Sequence, residues 1–255
     1  MPLRLSQAHL AILTLCPRKF QYRYLDQIGG IVPQTQQQLW GSQFHQLMQQ
    51  QGLGLPLSAP DPELGHCMTA LQAAAPYLFG SAPNQQSEHR LGLTLGNHAL
   101  VAVYDRLVLE GDRATIYDWK THSRPLSRQQ LAQSWQTRLY LYILAAVGTY
   151  SPESLSMVYW FVRLTPEHPV PQSVVLPYSV VQHRQTRADL TAHLQQLDRW
   201  LARYEHRPLP QLPPGSPHCA DCAFAVRCDR LPRQRQNQRQ TQRLLSVEDI
   251  SEVPI

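Results

Sequence analysis

Two aspartates lie at matching positions on either side of a predicted turn in the middle of the chain. Alternating apolar and polar residues predict strands over 100–110 and 114–120, and Gly111-Asp112 suits a two-residue hairpin turn because glycine adopts positive φ. Such a turn makes Asp105 and Asp118 direct cross-strand partners, with Cβ atoms about 4.5–5.5 Å apart. Like charges at that distance destabilise a hairpin unless a divalent cation lies between them, and carboxylate oxygens suit Mg²⁺ or Mn²⁺.

Lys120 adds an ammonium group to the same face of this hairpin. Side chains two residues apart point to the same side of a strand, so Lys120 and Asp118 are expected to lie together. Two carboxylates and an ammonium at one spot suit the metal-assisted attack of water on a phosphodiester. A surface hairpin with solvated charges is the alternative interpretation of the same residues.

Four further polar residues are candidates for this site. His45, on a predicted helix over 34–51, could supply a nitrogen ligand, or it is an ordinary surface or core histidine. Gln136 and Tyr140 share a helix face because they are four residues apart. Gln136 could hold the lysine or a phosphate and Tyr140 the backbone or a base, unless both reflect ordinary helix polarity. Glu88, just before the first predicted strand, is a weaker acidic candidate.

Three cysteines near the end of the chain have the spacing of metal ligands. Cys219, Cys222 and Cys228 form a C-x2-C-x5-C pattern, and a tetrahedral set needs one more ligand. Cys16 is a candidate for the fourth position although it lies far away in the sequence, and His218 is the other. Zinc and an iron–sulfur cluster both bind such thiolates, and the spacing by itself favours zinc.

The composition predicts a globular, cytoplasmic protein with a weak preference for polyanionic partners. The chain has 255 residues, 43% of them hydrophobic, and a net charge of +5. The sequence shows no apolar run that could span a membrane, no export signal and no phosphate-binding loop. The odd number of cysteines favours a reducing compartment over a disulfide framework, and Cys67 is expected to be a buried free thiol.

Helical and strand patterns alternate along the chain and predict an α/β fold. The predicted helices cover 6–25 (two short ones), 34–51, about 66–79, 128–147 and 184–204, and the predicted strands cover 89–95, 100–110, 114–120, 156–164 and 173–177. Three regions are expected, namely 1–206 as the core with N-terminal helices, 207–230 as a Pro-rich connector and cysteine region closing onto Cys16, and 231–255 as a basic Arg/Gln-rich tail. The arginines of the tail could follow DNA phosphates, or the tail is a solvated helix or a disordered segment.

These residues, in this order, resemble the PD-(D/E)XK nucleases, in the RecB-like and Cas4-like branch that carries an iron–sulfur cluster and includes the nuclease domain of AddB. The resemblance spans nearly the whole chain and rests on the ordered combination of motifs that are each weak alone. The motifs are Cys16 after an N-terminal helix, His45 in Gly-x-x-x-His, Asp105 in Tyr-Asp-Arg-Leu, Asp118-Trp119-Lys120-Thr121, Gln136-x-x-x-Tyr140, and Cys219, Cys222 and Cys228. Ala102 and Tyr104 depart from the family, whose strand often reads Gly-x-Ile-Asp, so the substrate channel is expected to differ.

For the fold, the resemblance implies a restriction-endonuclease-like core in which helices flank a mixed central β-sheet. It also implies a [4Fe–4S] cluster in place of the zinc that the spacing favours. The ligands implied for the cluster are Cys16, Cys219, Cys222 and Cys228. The N-terminal and C-terminal parts of the chain would then be joined by this cysteine-ligated cluster.

For the activity, the resemblance implies cleavage of DNA with Mg²⁺ or Mn²⁺. The cation ligands implied are His45, Asp105, Asp118 and the Trp119 carbonyl. Lys120 would orient or activate the attacking water and counter charge on the phosphate. Gln136 and Tyr140 match the extra motif of this branch behind the active lysine.

The expected function is that of an exonuclease on single-stranded or frayed DNA ends, in DNA repair, recombination or foreign-DNA processing. A helicase or another DNA-processing protein on a separate chain is the expected partner, and no membrane is involved. Two alternatives remain open from the residues alone. One is a non-catalytic DNA-binding module with a structural or redox-sensing cluster, and the other is an interaction protein held together by zinc.

Overall fold

A mixed β-sheet organises the part of the chain that the structure, a computed structural model, describes: residues 2–29, 34–79, 84–122 and 125–230. Within these residues its six strands are β1 (Arg4–Leu5), β2 (Gln85–Leu95), β3 (His98–Glu110), β4 (Arg113–Lys120), β5 (Leu155–Phe161) and β6 (Gln172–Pro177). The strand order is β1-β3-β4-β5-β6, with β2 also paired to β3. The β1–β3 and β4–β5 pairs are parallel and the other pairs are antiparallel, which confirms the predicted mixed sheet.

One edge of β3 is shared by two strands and is therefore partly open. Strand β2 pairs with β3 from His98 to Val108 along one edge. A strand has two edges, so β1, at Ala99 and Leu100, and β4, which stops at Arg106, must share the other. No described strand pairs with the backbone between these two contacts on that side, and Asp105 lies there.

Helices flank the sheet, as predicted for an α/β fold. They are α1 (Gln7–Leu15), α2 (Pro17–Phe20), α3 (Gln36–Gly52), α4 (Pro62–Ala74), α5 (Arg128–Gln133), α6 (Trp135–Val147) and α7 (Val180–Leu201), with a π-helical turn over Gln21–Leu25 after α2. Helix α4 begins earlier than predicted because Asp61 caps it, its Oδ1 accepting from the Leu64 amide at 2.8 Å. The helix predicted over 128–147 is two helices, since Ser134 is extended and its hydroxyl caps α6.

The core on one face of the sheet fixes α3 beside the hairpin. Side chains of α3 and α4 pack with strand residues of the same face, among them Tyr117, Trp119 and Trp160. Trp119 is 2% exposed, whereas its neighbour Asp118 points to the other face and contacts α6. Strand alternation therefore places Trp119 on the face of β4 that packs against α3 and Asp118 on the face that contacts α6.

A buried arginine ties α3 to the hairpin. Arg106 is 1% exposed, and its guanidinium donates to the Leu78 carbonyl (2.9 Å), the Gln85 amide oxygen (2.8 Å), the Met48 carbonyl (3.2 Å) and the Gln51 amide oxygen (2.9 Å). Burial lowers the pKa of this guanidinium below its usual range. Four neutral acceptors from three separate segments thus converge on one cation next to Asp105.

The glycine at the end of α3 permits this approach. A Cβ atom on Gly52 would lie 2.1 Å from the Ser87 hydroxyl oxygen and 2.7 Å from Nη2 of Arg106. Both distances are far below van der Waals contact, so a larger residue would separate α3 from the hairpin.

The chain divides into two compact units. Of the described residues, the first contains 2–11 and 34–202 and carries the sheet, and the second contains 12–29 and 203–230 and carries the cysteines predicted as ligands. The boundaries predicted at 206 and 230 stay predictions, and the tail at 231–255 lies outside the described residues. Among the helices that the structure describes, none combines the length and apolarity that crossing a membrane requires.

Candidate active site

The hairpin that carries the two aspartates has the predicted register. Gly111 adopts φ +59° in the turn, and the ladder between β3 and β4 runs to a last pair of Arg106 and Tyr117. Asp105 and Asp118 come next in the same register, one position beyond that pair. The sequence predicted that they pair within the ladder. They lie instead just beyond its last pair, where β4 leaves β3.

Asp105 uses this opening to contact both α3 and β4. Its Oδ2 accepts a hydrogen bond from the Trp119 amide at 2.9 Å and lies 3.3 Å from Nδ1 of His45. The side chain of Asp105 thus accepts the amide hydrogen bond that a backbone carbonyl of β3 would accept if the ladder continued. The Trp119 side chain packs in the core, and the role of the Trp119 carbonyl as a ligand stays a prediction.

Asp118, Lys120 and Gln136 form a closed triangle of polar contacts. Nε2 of Gln136 donates to Oδ1 of Asp118 at 2.5 Å, and Nζ of Lys120 donates to Oε1 of Gln136 at 2.7 Å. The third side of the triangle is an ion pair of 2.6 Å between Nζ and Oδ2 of Asp118. The prediction that Gln136 could hold Lys120 is confirmed.

The carboxylate of Asp118 is buried and incompletely hydrogen-bonded. Asp118 is 2% exposed. The ammonium of Lys120 forms an ion pair with Oδ2, but no described residue donates a well-aligned hydrogen bond to that oxygen. Burial raises the pKa of Asp118, the charge of Asp105 raises it further, Lys120 opposes the rise, and the resulting pKa is about 7. In the absence of a cation, this site therefore holds a carboxylate that resists ionisation.

His45 reaches the hairpin because α3 passes close to the end of β4. Gly41, four residues earlier, would place a Cβ atom 2.7 Å from Oγ1 of Thr121, so the glycine of the Gly-x-x-x-His motif allows the contact. Burial acts to lower the pKa of His45, but the hydrogen bond and charge of Asp105, with the charges of Asp118 and Glu88, raise it overall. The imidazole is one-third exposed and remains accessible to a ligand.

Glu88 belongs to the same group, although the sequence ranked it as a weaker candidate. One ligand atom each from His45, Glu88 and Asp105 lies within 4.8 Å of the other two. Glu88 is inside β2, not before it, and its backbone adopts φ +50°. Burial and then the charge of Asp105 raise the pKa of Glu88. The sequence feature that could have placed Glu88 at this site is the Gly96-Asn97 turn, because a two-residue turn there sets Glu88 opposite Asp105.

Tyr140 supports the open edge of β3 from inside the protein. It is 4% exposed, its carbonyl accepts from the Tyr104 hydroxyl at 3.1 Å, and the two rings meet edge to face at 5.3 Å. Burial raises the pKa of Tyr140, while hydrogen bonds to Gln136 and to the Val103 backbone oppose the rise. For Tyr140 the sequence predicted a contact with the backbone or with a base. The structure shows a contact with the backbone, and the ring is buried.

The residues of this site fit a divalent cation. Two carboxylates and an imidazole offer hard oxygen and nitrogen donors, which suit Mg²⁺ and Mn²⁺. Burial, and then repulsion from Asp105, raise the pKa values of Asp118 and Glu88, so both effects disfavour the ionised carboxylates in the metal-free site. A cation would relieve both penalties.

The second unit gathers the four predicted cluster ligands around one cavity. Cys16, Cys219, Cys222 and Cys228 all line it, together with His218, which was the alternative ligand. Burial raises the pKa of the Cys228 thiol, and the neighbouring Cys16 and Cys222 add to the rise while Arg18 opposes it. Cys67 is 1% exposed in the core of the first unit, as predicted.

Arg18 and Gln21 hold the two segments of this unit together. The Arg18 amide donates to the Pro210 carbonyl at 2.8 Å, and the Arg18 guanidinium donates to the Leu209 carbonyl at 2.6 Å. The Leu209 amide in turn donates to the side chain of Gln21 at 2.8 Å. These bonds bring Cys16 to the late cysteines, and a set of four thiols suits zinc or an iron–sulfur cluster.

A mixed sheet whose diverging strands present carboxylates and a lysine, with a histidine from α3 beside them, is typical of metal-dependent nucleases. The family model of the PD-(D/E)XK nuclease superfamily matches residues 4–229, and the chain belongs to this superfamily. No curated protein matches the sequence.

A solved structure shares this fold at low sequence identity. A candidate exonuclease from Eubacterium rectale superposes with a TM-score of 0.56 at 10% identity, covering 88% of this chain and 87% of that one. The structure of the protein SSO0001 matches with a TM-score of 0.42 at 10% identity, covering 88% of this chain and 84% of that one. The first likeness supports the α/β fold with helices on a mixed sheet.

Proposed function

We propose that this chain is a Mg²⁺- or Mn²⁺-dependent deoxyribonuclease of the RecB-like branch that acts on single-stranded or frayed DNA ends. The observation that carries the proposal is the triangle of Asp118, Lys120 and Gln136 beside the Asp105–His45 contact. The carboxylates of Asp105 and Asp118 repel each other in the metal-free protein, so this arrangement is better explained by cation binding and hydrolysis of a phosphodiester than by stability.

Each side chain has a distinct task in this proposal. A bound divalent cation would polarise a phosphate oxygen and promote the ionisation of water. Asp105 would hold that cation from β3 and His45 from α3, and Asp118 would share in holding it from β4. Lys120 has three N–H donors, of which two face Asp118 and Gln136, so the third can orient the attacking water or neutralise the phosphate.

The net charge of the chain and its membership in a nuclease superfamily support DNA as the substrate. The chain carries a net charge of +5, which favours a polyanion. It belongs to a nuclease superfamily, and the Eubacterium rectale protein with the same fold is a candidate exonuclease. Repair, recombination or foreign-DNA processing is the proposed setting, with a helicase or another DNA-processing protein as the partner.

The test is cleavage of end-labelled linear DNA, circular DNA and RNA by the full chain in Mn²⁺ or Mg²⁺. The variant K120M should lose at least about a hundredfold in cleavage rate, because the water and phosphate lose their cationic partner. The matched control R113M removes a positive charge at the exposed far end of the same strand and should cleave like the wild type.

The substrates and variants separate the alternatives. Degradation of linear but not circular single strands would support action at ends. Binding of DNA without cleavage would contradict the proposal and favour a non-catalytic DNA-binding module. Full activity in K120M would contradict the role of the lysine while leaving the superfamily assignment intact.

We also propose that Cys16, Cys219, Cys222 and Cys228 hold a [4Fe–4S] cluster. The support is that all four thiols line one cavity of the second unit and that the sequence resembles a branch with such a cluster. His218 also lines the cavity, so a zinc site is the competing outcome.

Metal content and colour test this assignment without reference to activity. Protein purified without oxygen should contain iron and sulfide and absorb visible light, whereas a zinc protein would be colourless. The variant C16S should lose the iron, and C67A, which changes a buried cysteine of the other unit, should retain it. Zinc in place of iron, or full iron retention in C16S, would contradict the assignment.

A further inference from the structure

We propose that the side chain of Arg230 donates a hydrogen bond from Nε to a sulfur atom of the [4Fe–4S] cluster and thereby raises the reduction potential of that cluster. The inference rests on the cluster proposed above, and it assigns a task to a residue outside the four cysteines. Arg230 belongs to the second unit and lines the same cavity as the four thiols.

The guanidinium of Arg230 has a buried N–H donor that no described residue satisfies. Its Nη2 donates to the Leu212 carbonyl at 2.9 Å, whereas Nε is buried and has no acceptor in the described part of the chain. A buried donor on a charged group is costly when it lacks an acceptor. Thiolate and sulfide sulfur atoms accept hydrogen bonds, so a cluster in this cavity would supply the acceptor that Nε lacks.

A reversal of the backbone after the last cysteine brings Arg230 to this cavity. Asp229 adopts φ +54°, a left-handed conformation that aspartate tolerates better than most residues with a Cβ atom. The Asp229 amide donates to the Val226 carbonyl at 3.1 Å, and the Arg230 amide donates to the Ala225 carbonyl at 2.9 Å. These two bonds form the Schellman pattern that reverses a chain after a helical turn. Arg230 is thereby folded back toward the cysteines.

The charges around the Cys228 thiol place Arg230 near a sulfur atom. Burial raises the pKa of this thiol, and the charges of Arg18 and Arg230 oppose the rise. The Nε of Arg18 already donates to the Leu209 carbonyl at 2.6 Å. Of these two arginines, Arg230 therefore has the Nε donor that is left for sulfur.

A hydrogen bond of this kind favours the reduced cluster. Reduction adds one electron and makes the sulfur atoms more negative, so a cationic N–H donor stabilises the reduced form more than the oxidised form. Leu15, Leu212 and Phe224 also line the cavity, and apolar surroundings strengthen electrostatic interactions because the local dielectric constant is low. We therefore expect Arg230 to raise the reduction potential.

A redox titration of the full-length protein, purified without oxygen and followed by electron paramagnetic resonance, tests this role. In R230M, the ratio of reduced to oxidised cluster at a given potential should fall by about tenfold, which is about 59 mV for one electron. R230K keeps a positive charge but has a methylene group in place of Nε, so its potential should also lie below that of the wild type. The matched control R207M removes an exposed arginine of the same unit and should keep the wild-type potential.

The outcomes distinguish this inference from the cluster proposal. Zinc in place of iron would overturn both. An equal potential in R230M and the wild type would overturn the inference alone, as would a wild-type cluster that dithionite does not reduce. A wild-type potential in R230K would show that the charge of the side chain acts without the Nε donor, which would overturn the hydrogen bond. If R230M does not retain iron, R230K supplies the test, and loss of iron from both variants would contradict the inference by assigning Arg230 to retention of the cluster.

Discussion

Gln136 sets the geometry of the lysine and of the buried carboxylate at the same time. Its amide nitrogen donates to Asp118 and its amide oxygen accepts from Lys120. A side-chain amide can do both because it carries a donor and an acceptor in one plane. Gln136 is therefore a positioning residue that acts through the two groups it contacts.

Replacing this amide should reduce turnover more than binding. In Q136L the ammonium loses its acceptor, and we expect kcat to fall by about 10–100-fold with a much smaller change in KM. The control Q133L changes an exposed glutamine of the neighbouring α5 and should leave both constants near the wild-type values. Steady-state cleavage of linear DNA measures the split, and an unchanged kcat in Q136L would refute the positioning role.

Asp118 should make the metal-free protein less stable as the pH rises. Its pKa in the folded state is about 7, above its ordinary value, because burial and Asp105 outweigh Lys120. The folded protein therefore binds this proton more tightly than the unfolded chain, and the resulting stabilisation is lost as the pH increases through about 7.

Neutralising the carboxylate should remove this loss. In EDTA at pH 8, urea unfolding of D118N should show a gain of about 1 kcal/mol or more in unfolding free energy, with a smaller gain at pH 5. The exposed turn residue Asp112 provides the control D112N, which should change little at either pH. An equal gain at both pH values would show that charge is not the cause.

At the scale of elements, Arg106 determines where α3 lies on the sheet and hence where His45 lies. It binds carbonyls and amides from α3, from the segment before β2 and from β2 itself. Each of these acceptors loses a hydrogen bond if the guanidinium is removed, and an unsatisfied buried acceptor costs about 1–3 kcal/mol. The arginine beside Asp105 thus has a structural task.

The variant R106M should therefore be strongly destabilised. We expect a loss of about 3 kcal/mol in unfolding free energy by urea denaturation, together with weaker Mn²⁺ binding because His45 is less well held. The exposed Arg90 of β2 offers the control R90M, for which a change within about 0.5 kcal/mol is expected. A stable R106M with normal Mn²⁺ affinity would show that α3 is positioned by its apolar contacts alone.

At the scale of the whole molecule, the two units depend on different sources of stability. The first has a sheet and a core of large apolar side chains. The second has short helices and turns around four cysteines, so metal ligation would supply much of its folding free energy.

Loss of one cysteine ligand should therefore unfold the second unit selectively. In C228S, limited proteolysis should cut within 203–230 well before it cuts the strands of the first unit, while C67A should retain the wild-type pattern. Mass spectrometry of the fragments locates the cuts. Resistance of C228S equal to that of the wild type would show that the cysteines do not hold this unit together.

Local chemistry explains which parts of the site could be predicted. The Gly111-Asp112 turn determines the register of β3 on β4, so the sequence predicted that Asp105 and Asp118 lie opposite each other in register, but not that the ladder ends one pair before them. The same argument at Gly96-Asn97 would have included Glu88, but the predicted strand began at His89, four residues after the observed start at Gln85.

The sequence by itself determined the α/β class, the hairpin and the residue types able to bind a cation or a cluster, because turns, strand alternation and ligand spacing act over short distances. Only the tertiary structure decided that His45 meets Asp105, that Asp118 is buried deeply enough to raise its pKa, and that the hairpin ladder ends just before the aspartates. These features depend on how distant segments pack, and the periodicity of a segment indicates which face is apolar but neither how deep it lies nor what it meets.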